Sequence, residues 1–87
     1  MRPLGQIAAC EISFLPLESS SGNDHVSGAI ELIKKSGLEH HAGPMSTFVR
    51  GDKDKVFQLL KEIYTDMDEK CSFVIAVKIS NICGCNI

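Results

Sequence analysis

Residues 38–52 read LEHHAGPMSTFVRGD. Leu38 to His41 has the character of a short strand, Ala42-Gly43-Pro44 turns the chain, and Met45 to Arg50 returns as a second strand. Gly51-Asp52 ends the hairpin. Asp52 is a good N-cap, and Asp54 adds negative charge at the positive end of a helix dipole. One element of each kind lies on either side. Upstream, Val26, Ala29, Ile30 and Ile33 recur at helical spacing, and Ser36-Gly37 closes that helix with Gly37 free to take a left-handed cap. Downstream, Val56, Leu59, Leu60, Ile63 and Met67 form the apolar stripe of a second helix, with a charged exit from Asp66 to Lys70.

The outer strands complete the pattern. Gln6 to Leu15 (QIAACEISFL) is β-rich and meets a stop at Pro16. Glu18 to Asp24 is a polar loop that ends in capping residues. Cys71 to Ile79 (CSFVIAVKI) is the last strand. The order β-α-β-β-α-β, with right-handed crossovers, predicts an α+β domain of the ferredoxin-like type over residues 1–87. It has a four-stranded antiparallel sheet with both helices on one face. The other face is left open.

Composition agrees with a folded chain and excludes several classes. The 87 residues suit one domain; 44% are hydrophobic and 23% charged. A net charge of −2 with no Lys/Arg cluster argues against nucleic acid, and no apolar run approaches the roughly 20 residues of a membrane helix. Ile7-Ala8-Ala9-Cys10 resembles a lipoprotein cleavage site, but the residues before it leave no room for an apolar signal segment. A cytosolic protein with free thiols is therefore expected. Cys10 and Cys71 read as small buried hydrophobes.

Alternation across the strands sorts the open face from the core. Ala8, Cys10, Ile12 and Phe14 are expected inward, as are Cys71, Phe73, Ile75, Val77 and Ile79. In the third strand, Met45, Thr47 and Val49 are read inward. The open face then carries Glu11, Ser13, Ser46, Arg50, Lys78 and Ser80 among Ala9, Phe48, Val74 and Ala76. Small residues interleaved with a few hydrogen-bonding groups suit a partner sheet or a planar ligand.

Several stretches resemble a known family. These are Ile7-Ala8, Cys10 to Leu17, Met45-Ser46-Thr47-Phe48-Val49-Arg50-Gly51, Val56-Phe57, Ser80 and Cys83. They are similar to the YkoF-type thiamine/hydroxymethylpyrimidine-binding family, and Ser36-Gly37-Leu38 and Pro44-Met45-x-Thr47 to its MTH-type single-domain relatives. The S-T-x-x-R-G segment is the most specific part. The resemblance implies non-catalytic binding of thiamine or its pyrimidine moiety, linked to vitamin uptake or salvage, with no further cofactor. Proteins of the YkoF type carry two such domains; this chain has one, so a homo-oligomer (dimer or tetramer) is implied, through the open face or edge strands. Glu11 departs from the pattern, which has a basic residue there.

An aminopyrimidine needs apolar contact on its faces and placed polar groups at its edge. Ser13, Ser46 and Thr47 offer hydroxyls, and Arg50 offers a donor or pairs with Glu11 across neighbouring strands. Glu11 is the only acidic candidate for a thiazolium on the expected face. Ser80 completes the candidate set. Two other readings compete. One is an amino-acid-sensing regulatory domain of the same architecture. The other is soft-metal binding through Cys83-x-Cys85 with His40-His41, although this is not the usual C-x-x-C spacing. No nucleophile stands beside a base in a recognisable motif, and Ser19-Ser20-Ser21-Gly22 lacks the lysine of a phosphate loop, so catalysis is not expected.

Overall fold

The computed structural model describes residues 7–17 and 22–82. Its elements are β1 (Ile7–Leu17), α1 (Gly22–Lys35), β2 (Glu39–Ala42), β3 (Thr47–Asp52), α2 (Lys53–Asp68) and β4 (Ser72–Ser80). The four strands form one antiparallel sheet in the order β2-β3-β1-β4. This is the ferredoxin-like arrangement.

Both helices cover the same face. Ala8, Cys10 and Ile12 of β1 and Val49 of β3 share one buried cluster with Ala29 and Ile33 of α1 and with Val56, Leu59, Ile63 and Met67 of α2. The stripe read from the sequence of α2 is thus the face that packs. Its start is fixed by Asp52, whose carboxylate accepts from the backbone N–H groups of Asp54 and Lys55 at 3.1 and 3.2 Å. At the end of α1, Gly37 has φ +76°, a left-handed value that suits glycine at this helix stop. The Ser36 hydroxyl donates to the Ile33 carbonyl and accepts from Leu38 N–H, which leads the chain into β2.

Several expectations need correction. β1 does not stop at Pro16 but continues to Leu17, with Pro16 opposite Phe73 of β4. A proline is tolerated there because β3 has already ended and the strand is one-sided. α1 starts at Gly22, inside the expected loop. The hairpin strands lie one to two residues later than read, so Leu38 precedes β2 as a core residue, and Met45 sits at the hairpin tip, 87% exposed, rather than inward. Thr47 and Val49 do point inward, at 7% and 0% exposure. Val77 and Ile79 share the helix-side face with Ile12 and Cys10, their register partners, yet remain 39% and 43% exposed. Parity was right; cover was not, because β4 is the edge strand and this end of it has no helix over it.

Candidate functional site

The register lays out the open face as rows. Glu39, Arg50, Ala9 and Ser80 lie side by side across the sheet; the next row is His41, Phe48, Glu11 and Lys78. Beyond them come Ser13 beside Ala76, then Leu15 beside Val74, then Leu17 beside Ser72. One end of the face is therefore charged and the other apolar. Arg50 pairs with Glu39 at 2.6 Å and not with Glu11, which stands opposite Phe48. The Glu11–Arg50 pair, one of the two roles open to Arg50 from the sequence, is thus absent, and Glu39 is a second carboxylate on this face. His41 stacks on Phe48 with ring centroids 6.5 Å apart.

At the junction of the two ends the sheet has a notch. β1 spans eleven residues and β3 only six, so the β3 ladder stops at the Ile12–Thr47 pair. From Ser13 to Leu17, β1 has β4 on one side and, among the described residues, no strand on the other. The space beside this free edge is a cavity of about 400 Å³. Its walls are α1, through Val26, Ile30 and Ile33, and the hairpin tip from Ala42 to Thr47. The aromatic trio of Phe14, Phe73 and Tyr64, with centroids 5.4 and 5.3 Å apart, anchors this half of β1 against β4 and α2. The tip is tied down by two bonds. Gly43 N–H donates to Ser46 carbonyl at 2.8 Å, and Ser13 Oγ donates to Met45 carbonyl at 3.1 Å.

Chemically the notch combines apolar walls with hydrogen-bonding groups on one side. An unpaired strand edge presents backbone donors and acceptors. Ser13 and Ser46 add hydroxyls, and Ser46 Oγ in turn donates to Glu11 Oε2 at 3.4 Å. The size is within the range of small-molecule sites.

Five of the six residues singled out in the sequence divide between two places. Ser13, Ser46 and Thr47 line the notch, with Thr47 buried. Glu11 and Ser80 line a smaller hollow of about 230 Å³ on the open face, together with Ala9, Phe48 and Lys78. Ser46 connects the two through its bond to Glu11. Ser80 Oγ accepts from Ile82 N–H at 2.9 Å. Arg50 lines neither. The α1 and hairpin-tip walls were not read as site residues; the unequal lengths of the first and third strands were the available signal. Among the described residues no group of His, Cys, Asp and Glu is arranged to hold a metal ion. Cys83 and Cys85 lie outside the described residues. Burial raises the Cys10 thiol above its ordinary value of 9.0.

Residues 10–81 match the family of thiamine-binding proteins. The chain belongs to that family. All six candidate residues fall within the matched span. Solved structures share the fold. A protein of proposed thiamine biosynthesis/salvage function from Thermotoga maritima superposes with a TM-score of 0.77 at 24% identity, covering 85% of this chain and 82% of that one. A hypothetical protein from Methanocaldococcus jannascii gives 0.77 at 28% identity, over 86% and 79%. A Streptococcus pneumoniae protein gives 0.80 at 20% identity, over 85% and 84%. No curated protein sequence matches.

Proposed function

We propose that this chain binds thiamine, or its hydroxymethylpyrimidine moiety, without chemistry and without a further cofactor, as a cytosolic element of vitamin uptake or salvage. The observation that carries the reading is the notch at the free edge of β1. A flat aminopyrimidine has donors and acceptors on its rim and apolar faces. The free backbone edge with Ser13 and Ser46 meets the rim, and the walls of α1 and the hairpin tip meet the faces. Membership of the family supports the same ligand class.

The chain acts as a homo-oligomer in this reading, and β4 is the surface that favours it. β4 is an edge strand of nine residues with Val74 exposed on one face and Val77 and Ile79 on the other. Such edges pair with other strands unless blocked. Its sequence, Ser72-Phe73-Val74-Ile75-Ala76-Val77-Lys78-Ile79-Ser80, is close to symmetric about Ala76. A second copy paired antiparallel about that point sets Ser72 opposite Ser80 and Phe73 opposite Ile79, and keeps the two Lys78 side chains from facing each other. No helix among the described residues is long and apolar enough to cross a membrane.

The test is thermal unfolding with thiamine, hydroxymethylpyrimidine and a panel of amino acids, confirmed by calorimetry. A ligand at about 100 times its Kd stabilises the native state by roughly 2.7 kcal/mol, several degrees for a domain this small. A shift with the thiamine compounds alone is the expected result. A shift with an amino acid alone, or none with any compound at millimolar concentration, overturns the assignment.

A further inference from the structure

The notch is lined on the helix side by α1, and on the open-face side by Ser13, Leu15 and Ser46, which form its rim there. A pyrimidine seated in it with its substituent toward the open face sends that substituent past this rim. Among the described residues the charged group bonded to this rim is Glu11, which accepts a hydrogen bond from Ser46 Oγ at 3.4 Å and is exposed on the open face. None of the described side chains lining the notch is basic. Glu39, an acid in the neighbouring row of the same face, is already paired with Arg50. Phe48 stands opposite Glu11 on β3 and Lys78 on β4, and no ion pair joins Lys78 to Glu11 within 4 Å.

This arrangement has a sign. A fixed positive ring leaving the notch meets a carboxylate and, beside it, the face of Phe48; both attract a cation. A phosphate leaving by the same route meets like charge before it can reach Lys78. Building on the thiamine reading above, we propose that Glu11 makes the site selective for the unphosphorylated cation. Glu11 holds the thiazolium of thiamine, and the site takes thiamine in preference both to the neutral hydroxymethylpyrimidine and to the thiamine phosphates. Glu11 is then a specificity-determining residue outside the pyrimidine pocket.

Calorimetry at low salt on the intact chain and on the E11Q variant, with hydroxymethylpyrimidine, thiamine, thiamine monophosphate and thiamine diphosphate, tests this. The intact chain should bind thiamine about fivefold tighter than hydroxymethylpyrimidine, the equivalent of one exposed charge pair. It should bind both phosphates more weakly than thiamine. E11Q should leave hydroxymethylpyrimidine affinity within about twofold, bring thiamine down to that level and narrow the gap to the phosphates. Because Glu11 is exposed, the melting temperature of ligand-free E11Q should match that of the parent. Phosphates binding as tightly as thiamine to the intact chain overturn the inference, and a K78A variant that then loses only the phosphates assigns them to Lys78. Equal weakening of thiamine and hydroxymethylpyrimidine in E11Q also overturns it, since Glu11 would then act on the pyrimidine. If no compound binds the intact chain, the thiamine reading itself fails and takes this inference with it.

Discussion

The two halves of β1 carry the same alternating sequence in different surroundings. Ile7 to Ile12 pairs with β3, and from Ala9 with β4 as well, and its inward residues Ala8, Cys10 and Ile12 are all buried. Ser13 to Leu17 runs beside β4 alone; Phe14 is half-buried, Leu15 is 52% exposed, and the free edge borders the notch. The first half holds the sheet together and the second half makes a site. Only Pro16 marks the second half in the strand's own sequence, and it permits the one-sided run without making it. A neighbouring strand that ends early does, so a binding site here is the product of a length mismatch between two strands rather than of a motif.

The sharpest way to break that contrast is a matched pair of truncations. Ile12→Ala, in the paired half, should cost about 2–5 kcal/mol, as buried Ile→Ala changes do, read by denaturant unfolding. Leu15→Ala, in the free half, should stay within about 0.5 kcal/mol while weakening ligand binding at the notch. Comparable losses of stability for both would make the second half core, not site. Next in size is Gly51→Ala. Gly51 lies opposite Ala8, and a Cβ there would stand 2.4 Å from Leu38 Cδ2, so Leu38 must move within a packed core. A loss of about 1–3 kcal/mol is expected, with ligand affinity of the folded protein unchanged.

The fold was legible because each of its signals is local. Asp52 as a cap, Gly37 as a helix stop, the Val56–Met67 stripe and the alternation in β1 and β4 each need only a few neighbours along the chain, and each holds in the structure. What failed depends on what other elements cover. Among the described residues Val77 and Ile79 have the right parity but no helix above them, and Met45 falls before the first residue of its strand. The site was half legible for the same reason. Ser13, Ser46 and Thr47 converge because the register brings them together, whereas Arg50 turns to Glu39 on β2, a pairing that parity within one strand cannot reveal.

Ser13 joins the two halves, and its removal is the smaller test. Ser13→Ala loses the bond to the Met45 carbonyl that ties the hairpin tip to β1. The expected cost is about 0.5–1.5 kcal/mol in stability. A larger proportional loss is expected in affinity for the thiamine compounds, since the hydroxyl and the tip position go together. If stability falls and affinity does not, the tip is structural and the notch binds nothing through it.

The smallest effect concerns Cys10, at the centre of the paired half. Burial raises its pKa above 9.0, so the native state holds the thiol proton more tightly than the unfolded chain does. Below that pH both states are protonated and the thiol adds no pH dependence. As pH rises past 9.0, the unfolded chain loses the proton first, and the stability that depends on a neutral Cys10 drains away until the native thiol also ionises. The parent alone would not isolate the thiol. The comparison with Cys10→Ala does, because everything else cancels. The melting-temperature advantage of the parent over Cys10→Ala should be constant near neutrality and shrink as pH climbs to about 10. A gap that holds steady over that range would mean the thiol ionises as easily in the sheet as in the unfolded chain. The paired half of β1 would then be more open to solvent than its burial shows, and its contrast with the free half would weaken.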